Sequence, residues 1–261
     1  MINKRVRFVI ASLVLSILFL FILTLPYEWQ HMAMGIMGLL IIFVFWLCLD
    51  LVNYRDWVLK ILMAFLPLSF FVGFCLFVIL LPFSIPLGIF LSVVFAIVNY
   101  TIFLVENIFL VAIGYKTVPL YRAAYTVALI ILLVSSFFLF NSIFSFNLGF
   151  WQNGLLVMMA GLMLFGYLFW AVTIELADDG RNKSFFYILV PAMILGQMAM
   201  VFSFWPVGIF RRSVFLVSFI YVMSTLIQAD IKERLFSKTW KGMVWVLLAL
   251  ILGIVSVSKW G

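Results

Sequence analysis

The feature that most constrains this chain is a series of nine apolar runs, each long enough to cross a lipid bilayer as a helix. A hydrocarbon core about 30 Å thick needs roughly 20 apolar residues per helix. The runs cover residues 6–26, 32–51, 59–82, 86–114, 118–146, 151–175, 184–205, 208–229 and 241–258. The sequence therefore predicts an all-α, polytopic transmembrane helical bundle of about nine spans, forming a single domain over residues 1–261.

Composition excludes a water-soluble fold of this length. Hydrophobic residues make up 68% of the chain and charged residues 10%, whereas a soluble domain is about half apolar and about a quarter charged. The net charge of +7 could suggest a nucleic-acid partner, but the basic residues are spread singly through short loops. We therefore expect the lipid bilayer, and other membrane subunits, as partners, and no nucleic acid.

The distribution of basic residues predicts the orientation of the bundle. Cytoplasmic loops of membrane proteins carry an excess of lysine and arginine. If the N-terminus is cytoplasmic, all but three of the 16 basic residues fall on the cytoplasmic side, and the exceptions are Arg211, Arg212 and Lys259. Nine spans then place the C-terminus outside.

Glu106 is the one carboxylate that the runs place deep in the membrane. It lies eight residues from the cytoplasmic end of the fourth run, or roughly 12 Å at 1.5 Å per residue. Ser92, Asn99 and Glu106 recur every seven residues, so they share one helix face. An ionisable group at such a depth is a functional-site hypothesis by default.

Two main interpretations of Glu106 are open, and a side chain that faces a partner or lipid is a third. In the first, Glu106, Asn99 and Asn107 form a proton or cation site that Arg122 gates. In the second, Glu106 forms a hydrogen bond with Tyr125 or an ion pair with Arg122, and this polar clasp joins two helices. Polar contacts of this kind are common between membrane helices.

Arg211 and Arg212 form a second candidate site, for an anion or a lipid headgroup. Guanidinium groups bind phosphate oxygens bidentately. The simpler interpretation is that both side chains extend to the outer headgroups from a shallow position. The sequence leaves open whether residues 200–215 form a regular turn between helices or a re-entrant segment.

Two further patterns have structural interpretations. Glu175, Asp178 and Asp179 lie in a mixed-charge stretch that reads as a solvated cytoplasmic loop. Small residues recur at helical spacing in the sixth and seventh runs, where they predict close helix packing: Gly154, Gly161, Ala192 and Gly196.

No pattern of catalytic or metal-binding residues stands out. The chain lacks His-Glu-x-x-His, Gly-x-Ser-x-Gly and phosphate-binding-loop motifs, and it has one histidine and two separated cysteines. We expect no catalytic residues, metal or cofactor. The sequence favours a non-enzymatic membrane subunit or scaffold that binds lipid or protein partners. A small secondary transporter using Glu106 is the first alternative, and an intramembrane lipid-modifying enzyme the second.

One stretch resembles a known group. Residues 105–112 (VENIFLVA) and 117–124 (TVPLYRAA) resemble a recurring pattern in uncharacterised multi-pass membrane proteins of candidate-phylum bacteria with small genomes. That resemblance implies a protein of the bacterial cytoplasmic (inner) membrane. It implies nothing about chemistry, since the group has no known function.

Overall fold

The described part of the chain is entirely helical outside its turns. The computed structural model describes residues 3–51, 56–82, 84–114, 119–174, 184–232 and 236–258. The helices in these ranges are α1 (Lys4–Thr24), α2 (Tyr27–Cys48), α3 (Trp57–Ile79), α4 (Ile85–Gly114), α5 (Tyr121–Ser145), α6 (Phe150–Thr173), α7 (Ser184–Phe204), α8 (Ile209–Ile231) and α9 (Ser237–Val257). Each begins and ends within a few residues of an apolar run, so the all-α prediction is confirmed.

Helices α1 to α8 are long and apolar enough to cross a membrane. In α9 the described apolar portion, Trp240–Gly253, is shorter. The indole Nε1 of Trp205, directly after α7, nevertheless donates a hydrogen bond to Ser258 Oγ, directly after α9, at 2.7 Å. Helix α9 therefore ends level with the connection between α7 and α8.

Helix ends follow the local sequence. The side chain of Asn3 caps α1 and that of Asp56 caps α3, each accepting a hydrogen bond from a backbone N–H of the first turn. Pro26 precedes α2, where its missing N–H removes no helical hydrogen bond. Helix α7 ends at Phe204 and α8 begins at Ile209, so residues 200–215 are two helix ends joined by a short turn, not a re-entrant segment.

The chain divides into two compact units, Met1–Leu132 and Leu133–Gly261. The boundary falls within α5. The first unit contains α1 to α4 and the start of α5, and the second contains the rest of α5 with α6 to α9. The single-domain assignment stays a prediction.

In the first unit, α1 buries two small polar side chains and exposes several large aliphatic ones. Ser12 and Ser16 are buried, whereas Val9, Ile10 and Leu13 are exposed. An amphipathic helix in water would instead present polar side chains on its outer face. Lipid tails are as apolar as leucine, so membrane helices associate through close packing and polar contacts instead. The outer face of α1 is therefore suited to lipid.

In the second unit, α6 and α7 approach closely through the predicted small residues. A Cβ atom added to Gly196 would lie 2.8 Å from the Cβ of Met158 and 2.9 Å from the carbonyl oxygen of Gly154. One added to Gly161 would lie 3.3 Å from the Cα of Ala192. The structure confirms that these positions are an interface at which side chains would not fit.

Candidate functional site

The predicted polar face of α4 is buried along its length. Ser92 is 5% exposed, and Asn99 and Glu106 are 0% exposed. The seven-residue spacing that placed these three side chains together in the sequence therefore does describe one inward-facing stripe, which we call the polar stripe.

One end of the polar stripe is hydrogen-bonded to α1. The Ser16 hydroxyl donates to the carbonyl oxygen of Ser92 at 2.6 Å. The Ser92 hydroxyl in turn donates to the carbonyl oxygen of Gly88, one turn earlier in α4, at 2.8 Å. A buried hydroxyl without a partner is costly, and these bonds satisfy both. This end of the stripe therefore holds two helices together.

Asn99, at the centre of the stripe, is satisfied on one side only. Its Nδ2 donates to the carbonyl oxygen of Phe95 at 2.8 Å. Its buried Oδ1 accepts no hydrogen bond from the described residues. A buried acceptor without a hydrogen bond costs roughly 1–3 kcal/mol of folding free energy. The Asn99 side chain therefore destabilises the first unit locally.

Stacked phenyl rings enclose the stripe. The ring of Phe95 lies 4.7 Å from that of Phe19 and 5.8 Å from that of Phe70, centroid to centroid. The ring of Phe103 lies 3.8 Å from that of Phe45 and 5.2 Å from that of Phe8. Asn99 therefore lies on a helix face between two layers of aromatic rings. The side chains beside the polar stripe are therefore closely packed aromatic rings.

The predicted partners of Glu106 differ in their exposure. Tyr125 is buried, Asn107 is half-buried, and Arg122 is exposed. The ring of Tyr121, in the first turn of α5, lies 5.7 Å from that of Phe109 in α4 and 6.5 Å from that of Tyr125. These contacts hold the end of α4 against the start of α5. The clasp and the gate both remain predictions.

An ion-pair cluster at one end of the first unit was not foreseen. Arg7 Nη1 donates to Asp50 Oδ1 at 2.9 Å, Arg7 Nη2 donates to Asp50 Oδ2 at 3.2 Å, and Lys4 Nζ lies 3.1 Å from Asp50 Oδ2. The hydrogen bond from Arg7 lowers the pKa of the Asp50 carboxyl below its usual value. Asp50 has φ 58°, a conformation that aspartate tolerates. Nothing in the local sequence links residues 43 positions apart, so no pattern pointed to the cluster.

A second unforeseen feature is a buried lysine between two indole rings. The Lys60 ammonium lies 4.7 Å from the ring centroid of Trp57 and 5.9 Å from that of Trp46. Trp46 Nε1 also donates to the carbonyl oxygen of Lys60 at 3.1 Å. Cation–π contacts of this kind stabilise a desolvated ammonium. The sequence signal was only the one-turn spacing of Trp57 and Lys60.

The two arginines of the second candidate site have different environments. Arg212 is half-buried, and its Nε and Nη2 donate to the carbonyl oxygens of Val207 and Trp205 at 2.6 and 2.9 Å. Its guanidinium also lies 5.9 Å from the ring centroid of Phe144. Arg211 is exposed. Nothing in the sequence distinguishes the two arginines. In the structure, Arg212 stabilises the turn between α7 and α8, whereas the Arg211 side chain makes no hydrogen bond with the described residues of this turn.

A groove opens beside this turn, between α7, α8 and α9. Its volume is about 310 Å³, at the lower end of the roughly 300–1,000 Å³ of small-molecule pockets. Two lining side chains carry polar atoms, Gln197 and Trp205. The other lining residues are apolar, namely Ile194, Met198, Val201, Phe202, Phe215 and Ile251.

The remaining charged residues add no metal site in the described ranges. Within residues 3–51, 56–82, 84–114, 119–174, 184–232 and 236–258, no three histidine, cysteine, aspartate or glutamate side chains cluster closely enough to hold a metal ion. The mixed-charge stretch with Glu175, Asp178 and Asp179 lies outside the described residues.

Comparison with known proteins identifies a family and no function. A family model described as a protein of unknown function, DUF5656, matches residues 122–257. The match runs from the first turn of α5 to the end of α9, so it contains Arg122, Tyr125 and the arginine pair but not Glu106. No curated protein and no solved structure matches the chain. The expectation of an uncharacterised family is confirmed.

Proposed function

The chain belongs to the family DUF5656 of proteins of unknown function, and we propose that it is a non-enzymatic membrane subunit that binds lipid or protein partners. The observation that carries this proposal is the burial of Glu106, whose side chain is 0% exposed. The α4 side chains one turn before and after it, Phe103 and Phe109, are also 0% exposed. A carboxylate in such surroundings is suited to holding helices together.

The competing transporter hypothesis makes a different demand on Glu106. A coupling carboxylate has to reach water from each side of the membrane during a transport cycle. Exposing Glu106 would require the neighbouring helices to separate, and Phe103, one turn before it, is stacked on Phe8 and Phe45. Stacked aromatic pairs contribute about 0.5–1.5 kcal/mol each beyond their burial. Such packing favours a Glu106 side chain that stays in one contact over one that is exposed to water during a transport cycle.

We expect Glu106→Gln to reduce the stability of the folded chain by about 1 kcal/mol, the usual size of a polar contact between membrane helices. The substitution keeps the shape of the side chain and removes the carboxyl group. Stability is measured as the midpoint of thermal unfolding of the full chain in detergent. Glu28→Gln is the matched control, because Glu28 is exposed in the first turn of α2.

Proton flux into vesicles separates the two hypotheses. The full chain is reconstituted in vesicles that contain a pH-sensitive dye, and a pH gradient is applied. A subunit or scaffold gives the same flux as empty vesicles, with or without Glu106. Flux that disappears in Glu106→Gln while the unfolding midpoint is unchanged would establish the transporter instead.

The proposal includes a location, the bacterial cytoplasmic membrane, with the N-terminus inside and the C-terminus outside. The charge distribution supports this orientation, because Lys4, Arg5 and Arg7 all lie in the first turn of α1. The bond from Trp205 to Ser258 supports an odd number of spans, because it puts the end of α9 beside the turn between α7 and α8.

A reporter fused after Gly261 tests this topology. Alkaline phosphatase is active only outside the cytoplasm, so we expect phosphatase activity from the fusion. Green fluorescent protein fused at the same position is expected to stay dark when exported through the same route. The reverse pattern would mean an even number of spans and would remove α9 from the transmembrane set.

A further inference from the structure

We propose that the groove between α7, α8 and α9 binds one acyl chain of an anionic phospholipid, whose phosphate is bound by Arg211. The proposal rests on the proposed function, because it names the class of lipid that the subunit binds. It concerns the second unit alone, and all of its residues lie within the family match.

The lining of the groove favours a thin, flexible chain over a partner helix. Interfaces between membrane helices are enriched in glycine, alanine and serine, which let backbones approach. Helices α6 and α7 meet in that way, through Gly154 and Gly196. The groove walls instead carry branched and long side chains, such as Ile194, Met198 and Ile251. These side chains fill space around a chain of methylene groups and keep a second backbone away.

The charge at the end of the groove favours an anionic headgroup. Phe215 lines the groove in α8, and Arg211 lies four residues earlier, on the same face one turn closer to the helix start. Arg211 is exposed, and its side chain makes no hydrogen bond or ion pair with any described residue. Its neighbour Arg212 is engaged by backbone carbonyl oxygens, so Arg211 is the guanidinium available to a phosphate.

The end of the groove is built at headgroup level. Trp205 lines it and donates its indole N–H to Ser258, and tryptophan is enriched where lipid tails meet water. The two arginines are also an exception to the charge distribution, since they fall on the predicted outer side. Binding of an anionic headgroup from the outer leaflet gives that exception a reason.

The test uses the full chain purified in detergent and native mass spectrometry. The probes are dimyristoyl phosphatidylglycerol, dimyristoyl phosphatidylcholine and inorganic phosphate, each added separately. We expect one phosphatidylglycerol to remain bound, with about fivefold preference over phosphatidylcholine, the effect of one basic residue at an anionic surface. Inorganic phosphate alone is expected to leave no adduct, because it has no chain to fill the groove.

Three variants assign the binding to the proposed residues. Arg211→Gln is expected to remove the preference for phosphatidylglycerol and leave the weaker binding of phosphatidylcholine. Lys241→Gln, an equal loss of charge at an exposed position of α9, is the matched control and should change nothing. Val201→Trp fills the groove from a residue that is 54% exposed, and is expected to abolish binding of both lipids. Ile251→Trp fills it from α9 if the first variant does not fold.

Several outcomes would overturn the proposal. These are no lipid retained, no preference between the two headgroups, equal effects of Arg211→Gln and Lys241→Gln, a stable adduct with inorganic phosphate alone, or a co-purified polypeptide in place of lipid. Failure here leaves the flux experiment with Glu106→Gln unaffected. Conversely, proton flux with the lipid still bound would overturn the non-enzymatic subunit and leave the lipid site in place.

Discussion

Phe95→Ala is expected to lower the free energy of unfolding by up to about 3 kcal/mol, below most of the range of about 3–5 kcal/mol for a buried aromatic side chain in a water-soluble core. Phe95 is 0% exposed, and its ring contacts those of Phe19, Phe70, Phe71 and Phe74. Alanine would leave a cavity among four rings and remove every one of these contacts. In a bilayer the loss is one of packing, because the separated helices also remain in an apolar medium.

Phe90→Ala is the matched control for this prediction. Phe90 lies in the same helix and is 63% exposed. We expect its replacement to change stability by less than about 0.5 kcal/mol, as for surface substitutions in general. Both variants are compared with the natural chain by unfolding in detergent micelles with increasing sodium dodecyl sulfate. Equal effects at the two positions would mean that the ring cluster does not stabilise the first unit.

Gly196→Leu is expected to separate α6 from α7 and to cost at least the roughly 1–3 kcal/mol of an overpacked core. Even the first added carbon would lie 2.8 Å from the Cβ of Met158 and 2.9 Å from the backbone oxygen of Gly154. A backbone oxygen and a Cβ atom are fixed to their helices, so neither can rotate away. The helices have to move apart to accept the side chain.

Gly166→Leu serves as its control, since an added Cβ at Gly166 in α6 meets no atom within 4 Å. Leucine also has a higher helix propensity than glycine, by up to about 1 kcal/mol. Gly166→Leu should therefore be neutral or slightly stabilising. Cysteines introduced in pairs across α6 and α7 report the separation directly through their cross-linking yield. A cross-linking yield in Gly196→Leu as high as in the natural chain would show that the interface is looser than the distances at Gly196 indicate.

The sequence was sufficient to predict features that depend on local pattern. The lengths of the apolar runs predicted the helices, because each helix that crosses a bilayer needs about the same number of apolar residues. The seven-residue spacing of Ser92, Asn99 and Glu106 predicted a shared face, since helical periodicity alone determines it. The small residues at Gly154 and Gly196 predicted a close interface for the same reason.

What the sequence did not reveal depends on which helices become neighbours. The pairing of Arg7 with Asp50 joins positions 43 residues apart, and no periodicity connects them. The groove needs the walls of α7, α8 and α9 together, so no single stretch contains its signal. Likewise, Arg211 and Arg212 are adjacent in sequence, and only the carbonyl oxygens around Arg212 distinguish their environments.

The hydrogen bond from Ser16 to Ser92 has a consequence for biosynthesis. The donor belongs to α1, which leaves the ribosome before α4, and the acceptor is made 76 residues later. At about 5–20 residues per second, α1 waits several seconds in the bilayer before α4 arrives. During that interval the Ser16 hydroxyl has to be satisfied within its own helix or by the insertion machinery. The inward face of α1 is thus completed only after α4 has been made, although α1 itself is made earlier.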